Sequence, residues 1–93
     1  MKKQSASWDY RIAERAIKDL RKLRPQASRR VIAFLDGKIR GNSNPRRIGK
    51  ALRGEHGEFW RYRVGDYRIL CRIDGGELIV LVVRISHRRE IYR

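Results

Sequence analysis

The stretch FWRYRVGDYRILCRIDGGELIVLVVRI, residues 59–85, decides the fold expected for this chain. It contains three runs rich in β-branched and aromatic residues, separated by Gly65-Asp66 and Gly75-Gly76. Two-residue connections of this kind are typical of tight β-hairpins. The stretch therefore predicts an antiparallel meander with strands at Phe59–Val64, Tyr67–Asp74 and Glu77–Ile85.

The chain before this meander predicts one strand and two helices. Between Trp8 and Ile12, apolar and polar residues alternate as they do in a short strand. From about Glu14 the apolar residues recur at helical spacing, and Pro25 can end one helix and begin the next, because its fixed φ suits a first helical turn. The short joint predicts an antiparallel helical hairpin. The turn formers and basic residues of 41–57 predict mostly loop.

These elements together predict an α+β fold in a single domain spanning residues 1–93, with the helices packed on one face of the sheet. A length of 93 residues is that of one small domain.

The charge of the chain points to an anionic partner. It has 24 Lys and Arg against 10 Asp and Glu, a net charge of +14 at pH 7. A charge this large on a short chain repels itself when the chain is compact. Nucleic acid fits the surplus best because Lys and Arg neutralise phosphates, although an acidic protein would also fit.

The sequence predicts a protein of the reduced cytoplasm that uses no cysteine chemistry. The basic start of the chain is followed by no apolar segment of the kind that marks a secretory signal, and no stretch has the length of a membrane span. Cys71 is the only cysteine, which excludes an intrachain disulfide and a cysteine-based metal cluster. We expect it to be a small buried hydrophobe.

One face of the predicted meander is cationic. Arg61 and Arg63 alternate with apolar residues, so both point to the same face. If Gly65-Asp66 is a two-residue turn, Arg63 lies directly opposite Arg68, and Arg72 lies on this face nearer its far end. Such a like-charge pair costs a few tenths of a kcal/mol to ~1, which makes sense if a phosphate normally sits between the two. The alternative is a solvated face with no special role.

The residues after the last strand carry groups that transfer protons. His87 and Tyr92 lie in a polar, cationic tail, and surrounding guanidinium groups would make a tyrosine more acidic. The alternatives are a packing anchor at Tyr92 and a surface residue at His87.

Three stretches of the sequence resemble the RelE family of the RelE/ParE toxin superfamily. They are Leu52-Arg53-Gly54, the run FWRYRVGDYRIL at residues 59–70, and the run HRREIY at residues 87–92. The pattern Arg-x-Arg-Val-Gly-Asp-Tyr-Arg is the most specific part. The resemblance extends back to Trp8 and covers nearly the whole chain.

The resemblance implies the toxin of a type II toxin–antitoxin system, with the RelE-like fold described above. It implies a ribosome-dependent endoribonuclease that cuts messenger RNA in the A site by attack of the 2′-hydroxyl on the adjacent phosphate. No metal and no cofactor would be required. It further implies an acidic, RelB-like antitoxin that covers the basic surface.

Position by position, the resemblance places the catalytic roles on five residues. Arg61 and Arg63 match basic active-site residues, and Arg68 matches an arginine that stabilises the transition state. Arg88 matches a second phosphate-contacting arginine, and Tyr92 matches a tyrosine that transfers protons and stacks on a base. Relatives often have lysine at the first two positions, and an arginine is a poor proton acceptor because it stays protonated.

Further residues complete the set implied by the resemblance. The segment between Arg88 and Tyr92 is shorter than in some relatives, which makes His87 a candidate to share the acid–base role. We expect RNA or ribosome contacts from four other basic residues, Lys50, Arg53, Arg72 and Arg89.

Two other functions remain open at this point. A ParE-like toxin shares the fold but inhibits DNA gyrase and is not an enzyme. A plain nucleic-acid-binding module would account for the charge alone.

Overall fold

The N-terminal half of the molecule folds into the predicted strand and helical hairpin. The structure, a computed structural model, describes residues 7–52 and 59–87. Strand β1 comprises Asp9–Ile12, helix α1 comprises Glu14–Lys22, and helix α2 comprises Pro25–Phe34 and begins at the proline. A π-helical turn, Leu35–Ile39, continues α2. None of the helices in the described ranges is long and apolar enough to cross a membrane.

Five strands form one sheet in the order β1-β5-β4-β3-β2. Strands β3, β4 and β5 form the predicted antiparallel meander, and β1 pairs with β5 in parallel. The strand bounds are Lys50–Ala51 for β2, Phe59–Val64 for β3, Tyr67–Asp74 for β4 and Ile79–His87 for β5.

The segment predicted as mostly loop also contains a 3-10 turn, Pro45–Arg47, and the short strand β2. Gly49 adopts a φ of +72°, and a Cβ there would lie 2.5 Å from the carbonyl oxygen of Arg61. A glycine is therefore needed for the chain to turn and to bring Lys50 opposite Arg61. A strand of two residues is too short to show an alternating pattern, so it could not be predicted from the sequence.

Of the two predicted hairpin turns, the structure confirms one and contradicts the other. The two-residue turn at Gly65-Asp66 is confirmed, because Val64 pairs with Tyr67 and Gly65 has a φ of +59°. The prediction of a two-residue turn at Gly75-Gly76 is wrong, since the last pair of the second hairpin is Asp74 with Ile79, which leaves a connection of residues 75–78. There the Asp74 carboxylate accepts hydrogen bonds from the backbone N–H groups of residues 76 and 77, and an aspartate turn of this kind competes with a tighter one. Consequently β5 begins and ends two residues later than predicted.

The core lies between the helices and one face of the sheet, as predicted. Val31 and Leu35 from the helical layer and Ile69 and Val82 from the sheet are fully buried. Cys71 is also fully buried, which confirms its assignment as a small hydrophobe, and burial raises the pKa of its thiol. The opposite face of the sheet carries the arginines, and we call it the open face.

A bulge in β5 changes which of its residues reach the open face. Val82 pairs with Cys71, but Arg84 pairs with Leu70, so Val83 is an extra residue in β5. A bulge of this kind shifts the alternation of side chains by one position. Arg84 therefore joins the open face, and the next residue, Ile85, is buried in the core.

Candidate active site

Three arginines lie on the open face near the Gly65-Asp66 turn, arranged as the sequence predicted. Arg63 is the cross-strand partner of Arg68, and Arg61 lies two residues from Arg63 on the same strand. Arg63 is exposed and Arg61 half-buried, whereas Arg68 is only 9% exposed. The register of the sheet therefore places Arg63 directly opposite Arg68, and both line a small depression together with Asp66. A like-charge pair in this cross-strand position costs up to ~1 kcal/mol.

A cleft of about 870 Å³ lies between this face and the end of α1. Its size suits a nucleotide-sized ligand, and its floor includes the apolar residues Leu23 and Leu70. The sheet and the helix each line it with cations, which are Arg61, Arg68 and Arg84 on the sheet and Arg15, Lys22 and Arg24 on or next to α1. The cleft is therefore suited to an anion with an apolar part.

Sequence reasoning missed Arg84 and the carboxylate that holds it. Asp19 of α1, only 8% exposed, accepts a hydrogen bond from Arg84 Nε at 2.9 Å and one from the backbone N–H of Ile85 at 2.9 Å. Because β1 pairs only as far as Val82, Asp19 takes the place of a strand along the rest of this edge of β5. In the sequence, the run Val82-Val83-Arg84-Ile85 breaks strict alternation by placing two apolar residues before the arginine, and this was the signal that could have revealed the bulge.

His87 lies in the same cleft as Arg68. It pairs with Tyr67 across the sheet, and the two rings meet edge to face with their centroids 5.2 Å apart. Both residues line the cleft. The pairing with Tyr67 points His87 to the face opposite Arg68, so the two residues share the cleft from different sides of the sheet.

The other predicted RNA contacts lie at the margins of the cleft or away from it. Lys50 is the cross-strand partner of Arg61 and lines a neighbouring depression of about 430 Å³ together with Arg63. Arg72 lies on the open face but lines a separate depression at its far end. Four predicted site residues, Arg53, Arg88, Arg89 and Tyr92, lie outside the described residues. The convergence of Tyr92 with the arginines therefore remains a prediction.

A second polar cluster fastens β1 to the π-helical turn, away from the cleft. The Tyr10 hydroxyl donates to Asp36 at 2.6 Å, and Arg40 pairs with Asp9 at 2.9 Å. Burial and the hydrogen bond to Asp36 raise the pKa of Tyr10 to about 12. Within residues 7–52 and 59–87, no group of three or more His, Cys, Asp or Glu side chains is arranged to hold a metal ion.

Comparison with known proteins identifies the family. Residues 10–92 match the family described as ParE toxin of the type II toxin–antitoxin system parDE. Toxin RelG of Mycobacterium tuberculosis is 39% identical over 86 residues, covering 92% of this chain and 97% of that protein. Toxin RelE of the same organism is 33% identical over 82 residues, covering 88% of this chain and 82% of that protein.

A solved structure shares both sequence and fold. The toxin–antitoxin complex RelBE2 of M. tuberculosis contains a chain that superposes with a TM-score of 0.79 at 35% identity, covering 89% of this chain and all of that one. The order of helices and strands and the cationic open face are thus accompanied by similarity over nearly the whole chain. This protein belongs to the RelE/ParE superfamily of toxins from type II toxin–antitoxin systems.

Proposed function

We propose that this toxin is an endoribonuclease that cleaves messenger RNA in the ribosomal A site. The observation that carries the proposal is the cross-strand pair of Arg63 and Arg68, of which Arg68 lines the cleft of about 870 Å³ together with Arg61. A fold under no functional constraint gains nothing from opposing two guanidinium groups. A phosphate held between them would offset their repulsion.

The reaction proposed is attack of a ribose 2′-hydroxyl on the adjacent phosphorus. The new O–P bond forms as the bond to the 5′-oxygen of the next nucleotide breaks, which leaves a 2′,3′-cyclic phosphate and a 5′-hydroxyl. Charge accumulates on the oxygens of a five-coordinate phosphorus, and planar guanidinium groups fixed by the sheet can stabilise it without rearranging. Arg68 suits this role best because its side chain is buried and therefore held in place.

Two protons must also move. One leaves the attacking 2′-hydroxyl and one reaches the departing 5′-oxygen. The arginines stay protonated and cannot serve as the base. We assign these transfers to Tyr92 and His87, of which His87 shares the cleft with Arg68. Arg88 would add a further phosphate contact, and the reaction needs neither a metal nor a cofactor because the arginines supply the positive charge.

The proposed partners follow from charge and from the relatives. The RelBE2 structure is a toxin–antitoxin complex. We infer that an acidic, RelB-like antitoxin covers the basic surface of this toxin and that electrostatic attraction drives its association, given the net charge of +14. Lys50, Arg53, Arg72 and Arg89 would contact the RNA or the ribosome. A protein that acts on ribosomes would work in the cytoplasm.

Inhibition of DNA gyrase is the second candidate, because the matching family is described by the name ParE. The experiment that separates the two is run in parallel on purified ribosomes carrying a defined message and on gyrase with relaxed plasmid. We expect the wild type to cut the message and to leave supercoiling unchanged. Loss of supercoiling without any cut would overturn the proposal in favour of the gyrase inhibitor.

The matched variants are Arg68→Gln and Arg29→Gln. Arg29 is exposed on α2 and lines none of the depressions described above, so it controls for the loss of one charge. We expect Arg68→Gln to lower the cleavage rate by about 10²–10³, the range for loss of one preorganised donor to a developing oxyanion. A non-catalytic binding module would instead show no cleavage by the wild type and equal effects of both variants on RNA affinity.

A further inference from the structure

The far end of the open face carries a row of four residues aligned across four strands. Arg11 on β1 pairs with Leu81 on β5, Leu81 pairs with Arg72 on β4, and Arg72 pairs with Phe59 on β3. Directly paired residues point to the same face of a sheet. We call Arg11, Leu81, Arg72 and Phe59 the distal row.

Phe59 is the aromatic member of the distal row. It is half-buried and is not among the hydrophobic residues that pack against the described core. A phenylalanine that leaves part of its ring in water gains less from burial than its neighbours on the core face. An aromatic ring on an open sheet face is the usual platform for an unpaired base.

The two arginines of the row supply charge beside that platform. Arg11 and Arg72 are exposed and, with Leu81 between them, line a depression of about 290 Å³. Asp74 and Glu77 line the same depression, so its lining holds two positive and two negative side chains. The negative charges of Asp74 and Glu77 would repel a further phosphate, so a bound nucleic acid strand would stop at this point.

The distal row is continuous with the arginine pair at the cleft. Arg68 and Arg72 are four residues apart on β4, which corresponds to about 13 Å along a strand. Between them, Leu70 pairs with Arg61 on one side and Arg84 on the other. At every second residue of β4, from Arg68 to Arg72, the open face therefore has an arginine that can contact a nucleic acid strand lying across it.

We propose that the distal row is a second RNA-binding subsite, which holds nucleotides of the same single strand that presents the scissile phosphate at Arg63 and Arg68. Phe59 stacks on a base, and Arg72 and Arg11 contact phosphates. This inference rests on the proposed nuclease function and extends it by naming a track longer than the reacting dinucleotide. The subsite contributes to affinity and to the choice of cleavage position, and it does not take part in the chemical step.

The test measures the affinity of the whole protein for single-stranded oligoribonucleotides of three and eight residues, made resistant to cleavage by 2′-O-methyl groups. The double variant Arg11→Gln/Arg72→Gln and the single variant Phe59→Leu are compared with Arg29→Gln. We expect each distal-row variant to weaken binding of the octamer about tenfold and to leave the trimer unchanged, since stacking and phosphate contacts both contribute at this scale. The slope of the logarithm of the octamer binding constant against the logarithm of salt concentration should also become less steep by about 1.4 for the double variant. Each of the two lost phosphate contacts accounts for ~0.7 of this change.

Octamer affinity equal to that of Arg29→Gln would overturn the subsite. Arg68→Gln separates this failure from failure of the proposed function. If Arg68→Gln stops cleavage and the distal-row variants bind the octamer normally, the proposed nuclease function is supported and the proposed subsite is contradicted. If Arg68→Gln cleaves normally and the distal-row variants bind the octamer more weakly, the RNA subsite is supported and the proposed catalytic role of Arg68 is contradicted.

A second arm distinguishes messenger RNA from ribosomal RNA as the source of the strand. Cleavage by the distal-row variants is measured on ribosome-bound messages that are long or truncated close to the cut on either side. We expect a lower kcat/KM than wild type on long messages and no difference from wild type on one of the truncated sets. The same deficit on every message would assign the row to ribosomal RNA and overturn the proposal.

Discussion

Replacing Asp19 by alanine tests how the end of β5 and its arginine are held. The backbone N–H of buried Ile85 would lose its acceptor, which costs about 1–3 kcal/mol. The ion pair with Arg84 adds at most ~1 kcal/mol, because the Arg84 side chain is 45% exposed. We therefore expect Asp19→Ala to lower the free energy of unfolding by about 2–3 kcal/mol, or the melting temperature by roughly 10–20 °C for a domain of this size.

Two further variants make this prediction specific. Asp19→Asn keeps an amide oxygen that can accept from Ile85 N–H and loses only the charge, so its cost should be about 1 kcal/mol or less. Arg15→Ala removes a side chain that approaches Asp19 only to 3.9 Å and is 62% exposed, so it should change stability by less than ~0.5 kcal/mol. The assay is urea unfolding followed by tryptophan fluorescence and circular dichroism. The reasoning is refuted if the alanine and asparagine variants at position 19 have the same stability.

Three more predictions concern the open face, the β2 turn and the Tyr10 cluster. Arg63→Gln should raise the free energy of unfolding by a few tenths of a kcal/mol to ~1 by removing the repulsion with Arg68, while lowering RNA cleavage; a less stable variant in urea would contradict this. Gly49→Ala should destabilise by about 2 kcal/mol or more, because its φ is +72° and the added Cβ would lie 2.5 Å from the carbonyl oxygen of Arg61; an unchanged thermal midpoint would show that the turn is not strained. The pKa of Tyr10 is raised to about 12, so its neutral form stabilises the fold below the ordinary pKa near 10, and this contribution is lost as the pH rises from 10 to 12. The stability difference between wild type and Tyr10→Phe should accordingly shrink over that range, and a difference independent of pH would argue against the assignment.

The sequence predicted most of what depends on short-range patterns. Alternation and the Gly65-Asp66 turn together determine that Arg63 faces Arg68, because a two-residue connection leaves only one register. The starts of both helices followed from apolar spacing and from Pro25. These features are local, so no knowledge of the folded chain was needed.

The four-residue connection after Asp74 was missed although its hydrogen bonds are local, whereas the other missed features depend on contacts between distant parts of the chain. The bulge at Val83 places Arg84 on the open face, and Asp19, sixty-five residues earlier in the chain, accepts from it there. In the sequence, Asp19 is one of several charged residues of α1, and nothing in the local pattern distinguishes it from the others. Strand β2 forms because Gly49 lets the chain approach Arg61 closely enough for the two strands to pair. Nothing in the sequence around either residue indicates this pairing.

Mapping of cut sites on ribosome-bound message shows whether the opposed arginines hold the scissile phosphate. The wild type, Arg68→Gln and Arg29→Gln are compared by primer extension on one message, with the 5′ end of the downstream fragment identified chemically. We expect cuts bearing a 5′-hydroxyl from the wild type and from Arg29→Gln, and a loss of about 10²–10³ in rate from Arg68→Gln. Equal cleavage by all three proteins would contradict this role of the arginines, even though the protein would remain a member of this toxin superfamily.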